Sequence, residues 1–430
     1  MIRMIVNPAE SKWKELCARP ETENTQLEDT VSIIFNEVKS MGDRAVKKNI
    51  KRYEGIEIEE LFVSAEEVKN ASSKLNRQLK NAIDVAYNNI EKFHASQKER
   101  LKQVEVIPGV SCWRESKAIE KVGLYIPGGT APLFSTVLML GIPAKIAGCK
   151  EVILTTPADK EKNIHPAILY SAELCGIKKI VKAGGIQAIA ALTYGTESIP
   201  AVSKIFGPGN QYVTAAKQYA QRKGVAIDLP AGPSEVLVLA DDSADAEFIA
   251  ADLLAQAEHG TDSQCVLVTF NEKMVNQVNA AIKQQLQILE RREIIEKSLK
   301  NSFAVVFQNK EQAIAFVNEY APEHLIIMVN DEGDYLEEIV NAGSVFLGIY
   351  TPESAGDYAS GTNHTLPTNG FAKAYSGVSL DSFVKKITYQ RISPKGLQSL
   401  GQTIETMAAA ENLTAHKNAV SIRLNKINRN

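Results

Sequence analysis

From Lys121 to Leu347 the chain alternates short apolar runs with helical patterns, and this rhythm constrains the fold more than any other feature. Residues 122–126, 151–155, 179–181, 202–206 and 225–229 read as strands. Between them, residues 135–147, 166–175, 186–194 and 211–223 carry apolar residues three and four apart, the spacing of a helix face. A strand that returns through a helix must pair in parallel with its predecessor, so this order predicts a parallel sheet with helices on both faces. The rhythm then restarts. Residues 236–239, 264–270, 304–307, 325–329 and 344–347 read as strands, with helices over 244–258, 272–286, 311–320 and 335–341. Two successive α/β units of like architecture follow, without a sequence repeat that would prove duplication.

The flanks differ. Residues 1–23 read as an arm or small cap. Helical spacing covers 31–40, 43–53 and 65–102, the last a charged helix or helix pair. Residues 351–377 form a long loop rich in Gly, Ser, Thr, Pro and Asn, and long loops in compact domains are usually functional or disordered. Residues 394–430 return to a helical pattern. A length of 430 residues suits two to three domains.

Composition removes several function classes. Lys and Arg number 48 against 51 Asp and Glu, a net charge of −3, which gives no basic surface for coating nucleic acid. The five cysteines (Cys17, Cys112, Cys149, Cys175, Cys265) are odd in number and contain no C-x-x-C pair. That argues against a disulfide framework or a thiolate zinc site, and a reducing cytoplasm is the expected setting. The amino terminus meets Pro, Glu and Lys before any long apolar run, unlike a signal peptide. The most apolar stretch, 131–149, is broken by Pro132, Gly141, Pro143 and Lys145 and makes a poor membrane span.

Several polar residues could carry chemistry. In LLAQAEHG, Gln256 and His259 share a helix face just before Gly260, a helix stop. The pair suits two metal ligands, and equally a histidine that caps the helix carboxyl end. In YAPEHLIIM, Glu323 and His324 stand where a helix gives way to a strand and should project from the sheet edge. Histidine there is a natural base near neutral pH, although taken alone the pair fits an exposed loop better. The loop GDYASGTNHTLPT offers Asp357 and His364, each an ordinary turn former by itself. Glu411 and His416 in AAAENLTAHKN are unremarked surface residues when read singly. Gly128-Gly129, Gly184-Gly185 and Gly207-Pro208-Gly209-Asn210 each follow a strand, where open α/β sheets bind ligands. Each could be a simple sharp turn, but three in one unit favour a ligand. The third glycine of the dinucleotide fingerprint is missing. Cys265, inside QCVLVTF, reads as a buried structural thiol.

Seven strings in order, VGLYIPGGTAPLFSTVLML, GPGN, DLPAGPSEVLVLAD, LLAQAEHG, APEHL, GDYASGTNHTLPT and ENLTAHKNAV, resemble the histidinol dehydrogenase family over nearly the whole chain. The resemblance implies an enzyme that oxidises L-histidinol to L-histidine through the aldehyde with two NAD, as the last step of histidine biosynthesis. It implies one zinc per subunit, with Gln256, His259, Asp357 and His416 as ligands, an N/O set that suits zinc without paired cysteines. Glu323 and His324 match the catalytic pair. Ser234, Gln256, His259, His324, Asp357, His364, Glu411 and His416 match substrate contacts, and Tyr125, Gln187 and Asn210 match NAD contacts.

The implied fold has two Rossmann-like parallel-sheet domains, a helical N-terminal arm, a helical C-terminal extension and an intertwined homodimer. Residues 1–23 would be the arm. Residues 24–120 and 234–378 would form one α/β domain carrying most zinc and catalytic residues, with 121–233 inserted as the NAD domain. Residues 379–430 would reach the partner subunit, so that Glu411 and His416 complete the neighbouring site. Two other readings share some of these residues: a relative acting on another small alcohol, and a zinc hydrolase in which Glu323 activates a metal-bound water.

Overall fold

The computed structural model describes residues 1–19, 25–128, 131–230 and 232–429. Residues 20–23 of the expected arm and Gly129 lie outside the described residues. In chain order the strands are β1 (Arg3–Val6), β2 (Gln103–Ile107), β3 (Val110–Ala118), β4 (Lys121–Tyr125), β5 (Glu151–Thr156), β6 (Lys179–Lys182), β7 (Lys204–Phe206), β8 (Ala226–Ile227), β9 (Glu235–Ala240), β10 (Gln264–Thr269), β11 (Phe303–Val306), β12 (His324–Met328), β13 (Ser344–Leu347) and β14 (Val384–Ile392).

Chain contacts divide the protein into two units. Residues 1–97 and 119–383 form the first, and 98–118 with 384–430 the second. The first holds both expected parallel sheets. One has the order β6-β5-β4-β7-β8 and the other β1-β11-β10-β9-β12-β13. Counting strands within each repeat of the rhythm, both follow the doubly wound order 3-2-1-4-5. The larger sheet adds β1 beyond its third strand. The central strands β9 and β10 are buried along their whole length, which their near-continuous apolar sequence requires, since helices cover both faces.

The amino-terminal arm joins the larger sheet: β1 pairs in parallel with β11, and Trp13 packs edge-on against Phe307 and Phe316 in its core. Two expectations need correction. The N-terminal helices, expected to join the second α/β unit, pack on the first. Val31, Phe35, Val46 and Ile50 share a core with Ile189, Leu192 and Val213, while Ile83 and Ile90 share one with Leu138 and Ile142. Their apolar stripes match the helices flanking the five-stranded sheet, which are apolar on every side and need covering. Last, the C-terminal segment is not wholly helical. β14 pairs antiparallel with β3, which pairs with β2, and Trp113 stacks on Tyr389 at 5.5 Å. Helices Pro394–Ala410 and Thr414–Ile427 then pack together within the same unit, where Gly401 leaves room for Leu424. Among the described residues no helix is long and apolar enough to cross a membrane.

Candidate active site

The catalytic candidates lie at the amino ends of the strands of the larger sheet. β12 runs between β9 and β13, so Glu323 and His324 do not project from an edge: they are 6% and 4% exposed. The backbone of Glu235, at the start of β9, grips both. Its N–H donates to Glu323 Oε2 at 2.9 Å, and its carbonyl oxygen lies 3.4 Å from His324 Nδ1. A proton on Nδ1 therefore has an acceptor, and in the neutral ring the lone pair falls on Nε2. Nε2 has no hydrogen-bond partner among the described residues, although Asp357 Oδ1 stands 3.4 Å away. On the other side of the chain, Gly343 presses against the Glu323 carbonyl, where a Cβ would come within 2.5 Å of that oxygen.

Carboxylates crowd this imidazole. Besides Asp357, Glu323 Oε2 and Glu353 Oε1 lie 3.7 and 3.9 Å from Nδ1. Burial works to lower the His324 pKa, but Glu353, Glu323 and Asp357 outweigh it, and the net shift is upward. Burial pushes the Glu323 carboxyl up to about 8, against the opposing pull of His324. Glu353 is pushed well above the usual carboxylate range by burial. Asp357 moves down: burial would raise it, but the close approach and the charge of His324 prevail. Glu353 stood outside the sequence reading. It enters from the helix Glu353–Tyr358, and its backbone N–H faces the buried Asp252, whose pKa burial lifts to about 6.

The expected metal ligands converge in part. His259, Asp357 and Glu353 each offer a ligand atom within 4.8 Å of the others. His259 follows the helix Ala246–Ala257 and keeps an exposed edge, while crowding by the protein lowers its pKa and Asp357 opposes that. Gln256, one turn earlier, is fully buried, and neither amide atom has a partner among the described residues. An uncompensated buried amide is costly, so the site fits a cation that would take its oxygen. Both ring nitrogens of His364 are engaged: Nδ1 donates to the Asp357 carbonyl oxygen at 2.9 Å, and Nε2 lies 3.1 Å from the Thr136 hydroxyl oxygen. Ser234 is half-buried beside Glu235. Glu411 and His416 belong to the second unit, at the junction of its two helices, and both are exposed.

The glycine turns of the smaller sheet form a second feature. A cavity of about 740 Å³ opens at the carboxyl ends of its strands, lined by Tyr125, Gly128, Gly184, Gly185 and Asn210. The Tyr125 hydroxyl accepts from Gly185 N–H at 3.1 Å, and Asn210 caps the helix Gln211–Arg222. Gln187 is buried behind the wall, where its Nε2 donates to Glu54 Oε1 at 2.8 Å. Glu54 itself lines the cavity, a residue the sequence pattern did not single out. Gly207 sits at φ +125°, and a Cβ there would collide with the Tyr125 carbonyl oxygen, so this turn needs glycine. His364 reaches the helix Phe134–Ala147, which follows the cavity residues Ala131 and Pro132.

Burial pushes Cys175 up to about 12 and Cys149 up to about 11, and moves Cys265 in the same direction.

Known proteins resemble this chain throughout. The family described as histidinol dehydrogenase matches residues 17–424. A histidinol dehydrogenase of Bacteroides thetaiotaomicron is 57% identical over 99% of this chain and all of its own length, and one from Haemophilus influenzae is 49% identical, covering 98% of each. The crystal structure of histidinol dehydrogenase from Elizabethkingia anophelis superposes with a TM-score of 0.98 at 55% identity, covering 99% of both chains. A lactaldehyde dehydrogenase structure, 12% identical with a TM-score of 0.51, shares the fold alone. Matched along nearly its full length in sequence and in structure, the chain belongs to the histidinol dehydrogenase family of oxidoreductases.

Proposed function

We propose that the protein oxidises L-histidinol to L-histidine through L-histidinaldehyde with two NAD, the last step of histidine biosynthesis, and that it carries one zinc per subunit. The observation that carries this reading is the His324 imidazole, tied through Nδ1 to the Glu235 carbonyl and open at Nε2. Gln256, His259, Asp357 and His416 would hold the zinc, which supplies a template for the amine and imidazole of the substrate. The unpartnered Gln256 amide supports that assignment. With the charge of Asp357 engaged by a cation, fewer carboxylates keep a proton on His324, and Nε2 can accept one.

His324 Nε2 takes the alcohol proton as hydride leaves for NAD. Oxidising the aldehyde needs its hydrate, and Glu323 activates that water. Its carboxyl, raised toward neutrality by burial, suits proton transfer near physiological pH. His324, having passed the first proton to water, then accepts the hydrate proton in the second hydride transfer. Ser234, His364 and Glu411 bind the polar edges of the cationic substrate. Tyr125, Gln187 and Asn210 would serve NAD in the cavity of the smaller sheet, with Gln187 acting through Glu54. The working form is a cytoplasmic homodimer, in which the segment from about Ser379 crosses to supply Glu411 and His416 to the neighbouring site.

One assay tests this. Purified protein given histidinol and NAD should produce two NADH per histidine, bind about one zinc per chain and lose turnover on chelation. Turnover that survives exhaustive chelation removes the zinc. Activity only with another alcohol, or hydrolysis without NADH, moves the assignment to one of the other readings.

A further inference from the structure

Behind the catalytic pair lies a buried ion pair with no part in the proposed chemistry. Arg19 is 9% exposed and Glu235 is fully buried. Arg19 Nε donates to Glu235 Oε2. The same guanidinium donates to the Cys17 carbonyl and to the Tyr320 carbonyl, each at 2.6 Å, and lies 3.7 Å from the centre of the Tyr320 ring. Tyr320 ends the helix Lys310–Tyr320, and Ala321 and Pro322 lead from it straight into Glu323 and His324. Arg19 therefore touches both supports of the catalytic pair. One is the chain segment that delivers Glu323 and His324. The other is Glu235, whose backbone N–H and carbonyl fix the Glu323 carboxylate and the His324 ring.

A merely stabilising role explains this arrangement poorly. A buried ion pair is weak support for stability, because desolvation offsets most of its attraction, and apolar residues of similar volume often do as well. What a guanidinium supplies beyond charge is a planar fork of donors with fixed directions. Here those donors bind three chain segments, at residues 17, 235 and 320, and two of them carry the site. Ala321 adds a constraint, since its φ of +51° is a left-handed turn that a non-glycine residue keeps only when its surroundings enforce it. The Arg19 bond to the Tyr320 carbonyl is one of those surroundings.

We propose that Arg19 and Glu235 are positioning residues for catalysis, the amino-terminal arm setting the orientation of Glu323 and His324 through the Glu235 backbone and the Tyr320 carbonyl. The inference rests on Glu323 and His324 as the proton-handling pair. Arg19 touches neither of them directly and none of the expected zinc ligands.

Three variants test it in the full-length, zinc-loaded protein: Arg19→Lys, Arg19→Ala and Glu235→Gln. Arg19→Lys keeps the buried charge and guards against a variant that fails to fold. Misplacement of a catalytic group by a fraction of an ångström to one ångström costs up to about 10²-fold, so kcat should fall by roughly 10- to 10²-fold. KM for histidinol and for NAD should stay within about twofold, because no binding contact is removed. Zinc content should be unchanged. Millimolar guanidinium should restore part of kcat to Arg19→Ala and none to Glu235→Gln. Lower melting temperatures with unaltered kcat, assayed well below melting, would make the pair structural and overturn the proposal, as would KM values that rise with kcat intact. If the parent protein fails to reduce NAD with histidinol, the assignment of the site fails. An active parent with unaffected variants sinks the positioning role alone.

Discussion

Gln256→Met should make the zinc-free protein more stable and the zinc-loaded protein less so. Gln256 is fully buried on the helix Ala246–Ala257, and its Oε1 and Nε2 both lack partners among the described residues. A buried polar group left unpaired costs about 1–3 kcal/mol, so the amide costs the metal-free fold roughly 2–4 kcal/mol. Methionine has nearly the same length and volume without that cost, and helices accept it well. Unfolding entropy of about 2.1 cal/mol/K per residue converts the gain, for a chain of this size, into a rise in melting temperature of roughly 2–4 °C. Zinc should reverse the order, because a ligand that binds only the native state stabilises it by mass action and the variant would lack the proposed Gln256 ligand atom. The assay is a pair of thermal melts of each protein, one after exhaustive chelation and one with zinc at a fixed excess. The wild type should gain far more from zinc than the variant. A metal-free variant that melts below the wild type refutes the reasoning, because the amide would then have partners whose loss is felt. An equal zinc shift in both proteins would remove Gln256 from the ligand set.

Three further outcomes follow from the same geometry. Glu323→Gln keeps size but cannot take a proton, so it should slow aldehyde oxidation by roughly 10²–10⁴-fold and alcohol oxidation much less; equal losses in both half-reactions, measured separately, would assign Glu323 to binding or structure. Burial raises Asp252 from 3.8 to about 6, so the folded chain keeps a proton there that the unfolded chain releases. The contribution of this group is intact below about pH 4 and is lost as pH rises to about 6, about 3 kcal/mol in all; Asp252→Asn should therefore gain stability over the wild type at pH 7 and lose that advantage near pH 4, and denaturant midpoints of zinc-free protein that show a pH-independent difference would contradict it. Mixing His416→Asn chains with His259→Asn chains, each inactive alone, should restore about half the sites of each heterodimer if the carboxyl-terminal segment crosses between subunits; heterodimers without recovered activity would place each site within one chain.

The two parallel sheets were legible in the sequence because their strands are buried on both faces. Such strands read as unbroken apolar runs, and β9 and β10 are buried at every position. The glycine turns of the smaller sheet could be placed for a related reason, since a position such as Gly207 admits no side chain. The strands β2, β3 and β14 gave no such signal: no position of β2 or β14 is buried and β3 is mostly half-buried, as in VKKITYQRI of β14, and the pairing of β14 with β3 joins residues more than 260 apart. The chemistry divides in the same way. Glu323, His324, His259 and Asp357 were found through the family strings they stand in, whereas Glu353, Glu54, Asp252 and the Arg19–Glu235 pair were not. Periodicity records which face of an element is covered. It does not record what lies across the gap, and Arg19 meets Glu235 from 216 residues away. Only the packed tertiary structure decides which buried charge finds a partner, because desolvation penalises every arrangement that leaves the charge alone.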